Sequence, residues 1–553
     1  MTLLVRTIRL PERDDLPDES PAHWSCVVDD VEIRADDRCS VHETAAGVCV
    51  LDGWLCGGEG AAGLYASYQN GGIEAAVSRD GHFTAVVLDR VRHELHLLND
   101  TGGFGHAYLW TSGHQFGYST DLRRLAWNGI SLSHEGMALY LAFQYVPAPY
   151  TIFEDIRRPQ PGTVITRRHG RLSERHVDHR PPSADDLIGE SEEPEPLPTE
   201  PFFEVLTTAL RERTADVERL GMTLSGGIDT STNAVLLTRR LGRRPVAYTA
   251  SFAEAGYDES DYAALVADHL GLEHIVIPVR PSDLHVLPRL VRDFETPNAD
   301  QAAFATHLLA TAAAERCDLM VTGEGGDEVL GFPMSPSDDI HWASLPGDST
   351  ALARLYLNRI RLADETLHQR FSKSLDVPAD LPVRVLAGIY EEHRARSGLD
   401  RLLFGQWRTW LTEGVYMKDT RVFGGAGMDT ALPFADPRVL RFVASLQARA
   451  RYDALDGKEL LRSGIRGHLP PSILTRAKHK FWIPFEEWFR GPLRDQLHDS
   501  LLSRQIISDT FEHDIVRKLV EEHDDNVSDH SRVLWSLIFL YFWLDNLPSM
   551  RSQ

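Results

Sequence analysis

The sequence predicts an α/β protein with a sheet-rich N-terminal part followed by a domain built on a parallel sheet. Short runs of β-type composition, such as Val27 to Ile33 and Phe83 to Leu88, alternate with turn residues up to about residue 180. From Phe202 to about Leu330, apolar runs alternate with stretches of helical periodicity, which is typical of parallel strands joined by helices. Beyond Leu330 the sequence becomes mainly helical, so we expect helical additions to that sheet.

A charged, proline-containing stretch separates the two parts. It includes Glu190-Ser191-Glu192-Glu193-Pro194-Glu195-Pro196, a composition typical of a linker or an exposed loop. We therefore expect a first domain at residues 1–183, an acidic linker at residues 184–200 and a second domain at residues 201–553. The length of 553 residues is sufficient for two or more domains.

The composition is that of a large globular protein, with 42% hydrophobic and 25% charged residues. The formal net charge of −24 argues against nucleic acid or an anionic membrane as a partner, because both would be repelled. The five cysteines lack the close CxxC pairing of zinc sites. We see no signal peptide or long apolar run, so we expect a protein of the reducing cytoplasm.

A glycine pair directly after an apolar run marks the first candidate site. The stretch reads Leu224-Ser225-Gly226-Gly227-Ile228-Asp229-Thr230-Ser231. The glycines let the backbone approach an anion closely, and the helical character of the residues that follow places a positive helix N-terminus beside it. No lysine follows the second glycine, so this is not the GxxxxGK[ST] loop of kinases and GTPases. The pattern predicts a pyrophosphate-binding loop.

A second glycine-rich stretch, Gly323-Glu324-Gly325-Gly326-Asp327-Glu328, follows the apolar run Leu319 to Val321. Either stretch alone could be an ordinary tight turn, but two such loops, each after an apolar run, are more specific. A carboxylate beside phosphate is repelled unless a hard cation lies between them. We therefore predict Asp229 and Asp327 as paired Mg²⁺ ligands in a site that cleaves ATP between its α and β phosphates.

These motifs resemble those of the asparagine synthetase family, whose synthetase domain carries an LSGGxDSS loop, an SGEGxDE loop and a late KxxF segment. The resemblance extends over nearly the whole chain, through Asp258-Glu259 with His274, Leu432 to Asp436, and Arg476 to Phe481. It implies an adenine nucleotide alpha-hydrolase-like (ATP pyrophosphatase) parallel-sheet domain after an N-terminal Ntn-hydrolase-like αββα sandwich. It also implies that Lys478 stabilises the charge of pyrophosphate and of the developing oxyanion. The implied nucleotide-binding residues are Leu224, Ser225, Gly226, Gly227, Asp229, Thr230, Ser231, Ala250, Ser251, Thr322 and Gly323.

The N-terminal part resembles the glutaminase domain of the family but lacks its nucleophile. Such a glutaminase uses a cysteine at position 2, where this chain has Thr2. The segment that would hold glutamine has no counterpart, and the NGE triplet of the family is replaced by Asp52-Gly53-Trp54. We therefore expect a structural or partner-binding domain, and an amine that arrives on a substrate instead of ammonia made in the chain.

Relatives without that cysteine include β-lactam synthetases and lasso peptide cyclases, which close rings with an amine of the same molecule. The β-lactam-forming members carry a tyrosine where this chain has Glu324, which disfavours that class. A carboxylate or a phenol must take the proton of the attacking amine. Glu324 is one candidate, and Asp429, in the slot of the family's LExRVPF glutamate, is the other. A helix cap is the competing interpretation of Asp429.

A segment between Asp327 and Asp429 is longer than its counterpart in asparagine synthetase and carries several aromatic residues. Those residues are Trp342, Tyr356, Phe371, Tyr390, Phe404, Trp407 and Trp410. Core packing would account for most of them, but an enlarged region beside the site also suits a substrate bulkier than aspartate.

The resulting expectation is a lasso-peptide-cyclase-like ligase that uses ATP and Mg²⁺. It would adenylate an Asp or Glu side chain of a precursor peptide and close a macrolactam with the N-terminal amine. The implied partners are that peptide, a leader peptidase and a leader-binding protein. Two alternatives stay open: a small-molecule amidoligase that makes asparagine or a β-lactam, and a non-catalytic peptide-binding scaffold.

Overall fold

The computed structural model describes most of the chain, with gaps. The described residues are 3–7, 23–126, 130–177, 197–254, 256–330, 345, 347–360, 365–392, 398–446, 458–476, 481–503 and 510–551. The chain divides into two compact units, one of Met1–Tyr140, Val146–Arg180 and Asp545–Gln553 and the other of Leu141–Tyr145 and Pro181–Leu544. Most of the linker expected at residues 184–200 lies outside the described residues, and a helix begins at Thr199.

The first unit contains two six-stranded antiparallel sheets, in the orders β10-β8-β9-β1-β3-β2 and β12-β11-β7-β6-β5-β4. The strands are β1 Leu3–Thr7, β2 Trp24–Val28, β3 Val31–Ala35, β4 Ser40–Glu43, β5 Gly47–Leu55, β6 Gly81–Asp89, β7 Glu94–Asn99, β8 Tyr108–Ser112, β9 Gln115–Ser119, β10 Ile156–Arg157, β11 Thr163–Arg168 and β12 Arg171–His176. Helices span Gly60–Val77 and His134–Phe143, with a 3₁₀ turn at Leu122–Arg124.

Alternation of apolar residues along these strands builds the core between the two sheets. In β3, Val31, Ile33 and Ala35 are buried and the residues between them are partly exposed. They pack in one cluster with residues of the second sheet, including Val48 and Val86. Every residue of β6 is buried, because the helix Gly60–Val77 packs on the other face of its sheet. The predicted sandwich of sheets is thus confirmed.

The second unit is organised around a five-stranded parallel sheet in the order β15-β14-β13-β16-β17. Its strands are β13 Leu220–Thr223, β14 Val246–Ser251, β15 His274–Pro278, β16 Leu319–Val321 and β17 Asp429–Ala431. The chain runs outward from β13 to β15 and then returns to β16 on the other side of β13. In open parallel sheets, ligands bind at this reversal, beyond the carboxyl ends of the strands. Both predicted loops begin there.

Helices cover the sheet and extend the unit, as the sequence predicts. They span Thr199–Thr214, Ile228–Val235, Ser260–Leu270, Leu287–Asp293, Ala302–Ala313, Gly326–Leu330, Ser349–Ile360, Glu365–Ser374, Leu381–Glu392, Gly398–Gln406, Met417–Gly425, Pro437–Ala444, Glu459–Gly464, Pro471–Leu474, Phe485–Arg490, Arg494–Leu502, His513–Asp524 and Ser531–Arg551, with π-helical turns at Leu236–Arg240 and Trp407–Tyr416 and 3₁₀ turns at Pro281–Val286 and Pro433–Ala435. Among the described helices, none has the length and apolar character needed to cross a membrane.

Core packing takes up most of the aromatic residues of the helical addition. The buried ones are Tyr356, Phe371, Tyr390, Phe404 and Trp407, while Trp342 lies outside the described residues. The aromatic composition of this region therefore reflects its own core.

Candidate active site

The first glycine loop continues β13 and turns sharply into a helix. The Leu224 amide donates to the Tyr248 carbonyl at 2.9 Å, which carries the sheet one residue beyond the strand. Gly226 then adopts a φ of 70°, in the left-handed region that favours glycine. Gly227 is the N-cap of the helix Ile228–Val235. The amides at the start of this helix therefore lie at the carboxyl edge of the sheet, as a phosphate-binding loop requires.

Side chains of this loop hold its own shape. The Ser225 amide donates to the Thr230 hydroxyl at 3.2 Å, and the Gly227 amide donates to the Ser225 hydroxyl at 3.2 Å. Ser231, by contrast, is fully buried in the helix. The structure does not bring the Ser231 hydroxyl to the surface of the loop, although the sequence places it in the nucleotide site.

The second loop packs directly against the first, and glycines make the contact possible. A methyl group on Gly323 would lie 2.5 Å from Thr230 Cγ2, and one on Gly326 would lie 2.5 Å from Asp229 Oδ1. The Asn233 side-chain amide donates to the Thr322 carbonyl at 2.9 Å and ties the first helix to the end of β16. The two motifs recognised separately in the sequence thus form one crevice.

The remaining predicted nucleotide residues lie at the same edge of the sheet. Leu224, Ala250 and Thr322 are buried at or just beyond the ends of β13, β14 and β16. Ser251, the last residue of β14, is partly exposed. The Thr249 hydroxyl donates to the Leu224 carbonyl and joins two of these strand ends.

Asp229 and Asp327 face each other across the crevice with a lysine between them. The Lys458 ammonium lies 2.5 Å from Asp229 Oδ2 and 2.5 Å from Asp327 Oδ1. The Lys458 side chain is 6% exposed. Burial lowers the pKa of Lys458, but the two carboxylates outweigh this effect and raise it overall, so the ammonium stays charged at neutral pH.

The sequence interpretation missed Lys458. It precedes the helix Glu459–Gly464, outside every motif used above, and has a φ of 58°. A lysine in such a position reads as a surface charge, and only the tertiary structure brings it to the paired aspartates.

The two aspartates also fit a magnesium ion by the chemistry of their donors. Carboxylate oxygens are ligands that Mg²⁺ prefers, and Mg²⁺ usually takes one or two carboxylates together with phosphate oxygens. Asp229 and Asp327 would hold the ion.

Glu324 is held by a second buried lysine. Lys418 Nζ donates to Glu324 Oε1 at 2.7 Å and lies 3.3 Å from Asp300 Oδ2 and 3.6 Å from Asp419 Oδ1. The Lys418 side chain is 1% exposed, whereas that of Glu324 is 37% exposed. Burial lowers the pKa of Lys418, but the three carboxylates raise it well above its usual value. Glu324 is therefore accessible from solvent, while the Lys418 ammonium that holds it is buried.

Asp429 lies at the amino ends of the parallel strands, whereas the two glycine loops lie at their carboxyl ends. It starts β17 opposite Leu319, whereas the loops follow the carboxyl ends of β16 and β17. Its side chain is 53% exposed and lies 3.2 Å from Arg213. The structure does not bring Asp429 to the crevice, because the whole length of a strand separates them.

Lys478 lies outside the described residues, but its neighbour Arg476 is well placed. Arg476 pairs with Glu259, and its guanidinium lies 3.9 Å from the centre of the Tyr262 ring. The same side chain reaches the Ser225 carbonyl at 3.5 Å. The segment that precedes Lys478 is thus anchored beside the first loop.

Two tryptophans of the helical addition support the second loop. Trp407 Nε1 donates to the Glu328 carbonyl and Trp410 Nε1 donates to Glu328 Oε1, both at 2.9 Å. Both lie in the π-helical turn Trp407–Tyr416, a feature that is frequent near functional sites. These aromatic groups hold the second loop in place, so the contact with Glu328 accounts for them without a bulky substrate.

We expect Gly226→Ala to remove nucleotide binding. A methyl group there would lie 2.6 Å from the backbone carbonyl carbon of Tyr262, so the loop must move. Gly242→Ala is the matched control, because Gly242 has a φ of 65° with nothing within 4 Å of the added carbon. In both variants the free energy of unfolding should fall by about 1–2 kcal/mol, because alanine is strained in the left-handed region. Thermal unfolding measures this loss. Stabilisation by ATP should persist in the Gly242 variant and vanish in the Gly226 variant; equal stabilisation of both would contradict the assignment of the loop.

The fold is that of an α/β protein whose two glycine loops meet at the topological reversal of its parallel sheet. The chain belongs to the asparagine synthase family, whose model matches residues 202–545. A glutamine amidotransferase domain model matches residues 61–177. The chain is accordingly an ATP-dependent ligase of the asparagine synthetase type.

Two curated relatives agree with the assignment to this family. The chain is 24% identical over 519 residues to asparagine synthetase [glutamine-hydrolyzing] 1 of Bacillus subtilis (strain 168), covering 87% of this chain and 80% of that protein. It is 24% identical over 527 residues to a putative asparagine synthetase [glutamine-hydrolyzing] of Mycobacterium tuberculosis (strain ATCC 25618 / H37Rv), covering 88% and 79%. A solved structure of NH3-dependent NAD synthetase from Campylobacter jejuni matches 34% of this chain and 92% of its own, with 17% identity and a TM-score of 0.19.

Proposed function

We propose that this ligase adenylates an Asp or Glu side chain of a precursor peptide and closes a macrolactam with the peptide's N-terminal amine, as a lasso peptide cyclase does. The observation that carries the proposal is the crevice that joins both loops, Lys458 and Glu324, combined with Thr2 in place of the cysteine nucleophile. The crevice supports adenylation, and the missing cysteine argues that the amine comes with a substrate.

In the first step, a carboxylate oxygen of the peptide attacks the α-phosphorus of ATP. The bond from that phosphorus to the bridging oxygen breaks, and pyrophosphate leaves with the electron pair. The amides after Gly226 bind the phosphates, and the Lys458 ammonium offsets the charge that develops on them. A magnesium ion held by Asp229 and Asp327 would neutralise further phosphate charge.

In the second step, the neutral amine attacks the acyl carbon and AMP leaves. The amine must lose a proton, and about a tenth of an α-amine with a pKa near 8 is neutral at pH 7. Glu324 takes that proton, held in place by Lys418. Asp429 has no part in this proposal, because it lies at the opposite end of the sheet. Lys478 remains a prediction as a second cation on pyrophosphate.

A small-molecule amidoligase is the second candidate. The similarity to asparagine synthetases over 87% of the chain favours it, and so does Glu324, which those enzymes share. The tryptophans on Glu328 also remove part of the argument for a large substrate. On the peptide proposal, a leader peptidase and a leader-binding protein would be partners. On the small-molecule alternative, neither is needed.

Pyrophosphate release in the presence of Mg·ATP separates these candidates. The first probe is the peptide encoded by a short reading frame beside this gene, with its N-terminus either free or acetylated. The second is L-aspartate with ammonium. We expect the free peptide to lose one water, measured by mass spectrometry, and the acetylated peptide to release pyrophosphate without ring closure. Turnover of L-aspartate with ammonium, and not of the peptide, would support the small-molecule enzyme. Absence of ATP binding in calorimetry would support a non-catalytic scaffold.

Asp229→Ala should abolish substrate-dependent pyrophosphate release, because it removes both a predicted metal ligand and a partner of Lys458. Asp216→Ala, at an exposed position just before β13, is the control and should keep the normal rate. Unchanged release by the Asp229 variant would disprove the metal assignment.

A further inference from the structure

Arg532 is a partly buried arginine that has no ion-pair partner among the described residues. It lies in the first turn of the helix Ser531–Arg551. Its guanidinium reaches the Ile360 carbonyl at a long 3.5 Å and lies 5.4 Å from the centre of the Trp482 ring. Neither contact supplies a negative charge.

An arginine without a carboxylate partner is unexpected in so acidic a chain. With 81 acidic residues against 57 basic ones, carboxylates are in excess. Burial is the largest effect on the pKa of Arg532 and lowers it, while the more distant Asp529 and Asp300 partly offset the change. Leaving a partly buried charge without a counter-charge is unfavourable. Because the described residues supply no counter-charge to this guanidinium, an anionic ligand would complete its surroundings.

The surroundings of Arg532 connect it to the crevice on two sides. Trp482 follows Phe481, whose ring lies 5.8 Å from that of Phe252, the residue directly after β14. Asp300, one of the charges that act on Arg532, lies 3.3 Å from Lys418, which binds Glu324. Trp482 is 39% exposed, so a ligand can reach this place.

We propose that Arg532 and Trp482 form a receptor for a second substrate carboxylate, one that is bound and not adenylated. This inference rests on the proposed function and adds a specificity site to it. A planar guanidinium binds a carboxylate through two parallel hydrogen bonds, and the indole ring beside it limits competition by water. The carboxylate is either the C-terminus of a peptide or the α-carboxylate of an amino acid.

The kinetic test compares acid and amide forms of each probe. The probes are the neighbouring-gene peptide with a C-terminal acid or amide, and L-aspartate or its α-amide. In one of these two acid–amide comparisons, Arg532→Met should raise KM for the acid form by about ten- to a hundredfold. This is the effect expected from losing charge-assisted hydrogen bonds to a carboxylate. KM for ATP and for the matching amide should not change. Arg532→Lys should restore part of the loss. An effect on the peptide acid would identify a peptide C-terminus as the bound carboxylate, and an effect on L-aspartate would identify an amino-acid α-carboxylate.

Arg494→Met is the matched control, since Arg494 is 54% exposed and pairs with Asp524. It should leave every KM unchanged. Identical KM values of the Arg532→Met variant and the wild type for all acid forms would overturn the receptor.

A chemical measurement separates this inference from the proposed function, because it needs no turnover. Phenylglyoxal should label Arg532 in the intact protein, as detected by peptide mass spectrometry, and the acid probe should protect it while the amide does not. If no probe supports pyrophosphate release, the proposed function fails, and protection by an acid still supports the receptor. Equal labelling with and without every acid would overturn it.

Discussion

Replacing Lys458 with methionine is expected to lower substrate-dependent pyrophosphate release by about 10²–10³-fold, the typical effect of removing one preorganised charge from a catalytic site. Methionine keeps most of the length of the stem and removes the ammonium that lies 2.5 Å from both Asp229 and Asp327. The loss should appear in kcat, because the charge acts on the departing pyrophosphate more than on bound ATP.

The control for this prediction is Lys518→Met. Lys518 is 62% exposed and pairs with Glu522, four residues further along the same helix. Its removal should leave the rate unchanged, since exposed pairs of this kind contribute about 0.3–0.5 kcal/mol. A Lys458→Met variant with the wild-type rate would show that the lysine only balances the two aspartates. Lys458→Arg, which keeps the charge, should retain part of the activity in the proposed role.

The direction of the pKa shift of Lys458 predicts how the stabilities of the wild type and of Lys458→Met depend on pH. The folded-state pKa of Lys458 is raised above its unfolded value, so its contribution to stability is fully present below the unfolded pKa near 10.4 and is lost as pH rises through the folded pKa. Between pH 6 and 9 the ammonium does not titrate. The difference in stability between wild type and Lys458→Met, measured by denaturant unfolding, should therefore stay constant over that range.

Local patterns in the sequence were sufficient for the loops but not for the groups that act on them. Gly226 and Gly325 lie within four residues of the ends of buried strands. Loops that follow the carboxyl ends of parallel strands are where such sheets bind ligands, so an apolar run followed by glycines predicts the loop. Lys458 and Lys418 carry no such pattern. A lysine is rarely buried, so in a sequence it reads as a surface charge. Only the packing of distant helices brings these two side chains onto Asp229, Asp327 and Glu324.

The spacing of a motif does not show at which end of a strand a residue lies, and the sequence interpretation placed Asp429 at the wrong end. Asp429 is only a few residues from Pro433 in a segment that resembles the family, yet it occupies the start of β17 and Ala431 the end. A strand of three residues is enough to move a side chain from the catalytic edge of a sheet to the opposite edge. Trp410 shows the related limit for aromatic residues, because its contact with Glu328 depends on tertiary structure.

Glu324→Gln is expected to separate the two steps of the reaction. Glutamine keeps the shape of the side chain and can still accept a hydrogen bond from Lys418, but it cannot take a proton from the amine. Amide formation should fall by about 10²–10⁴-fold, the usual effect of losing a general base. ATP–pyrophosphate exchange, which reports adenylation alone, should persist.

The control for this substitution is Glu315→Gln, at an exposed position after the helix Ala302–Ala313, which should change neither rate. Lys418→Arg tests the support beneath Glu324, because it keeps the positive charge among Asp300, Glu324 and Asp419 but moves the donors that fix the carboxylate. It should lower amide formation more than exchange, in the same direction as Glu324→Gln and by a smaller factor. If exchange and amide formation fell together in both variants, Glu324 would act in adenylation, and the proton would leave the amine by another route.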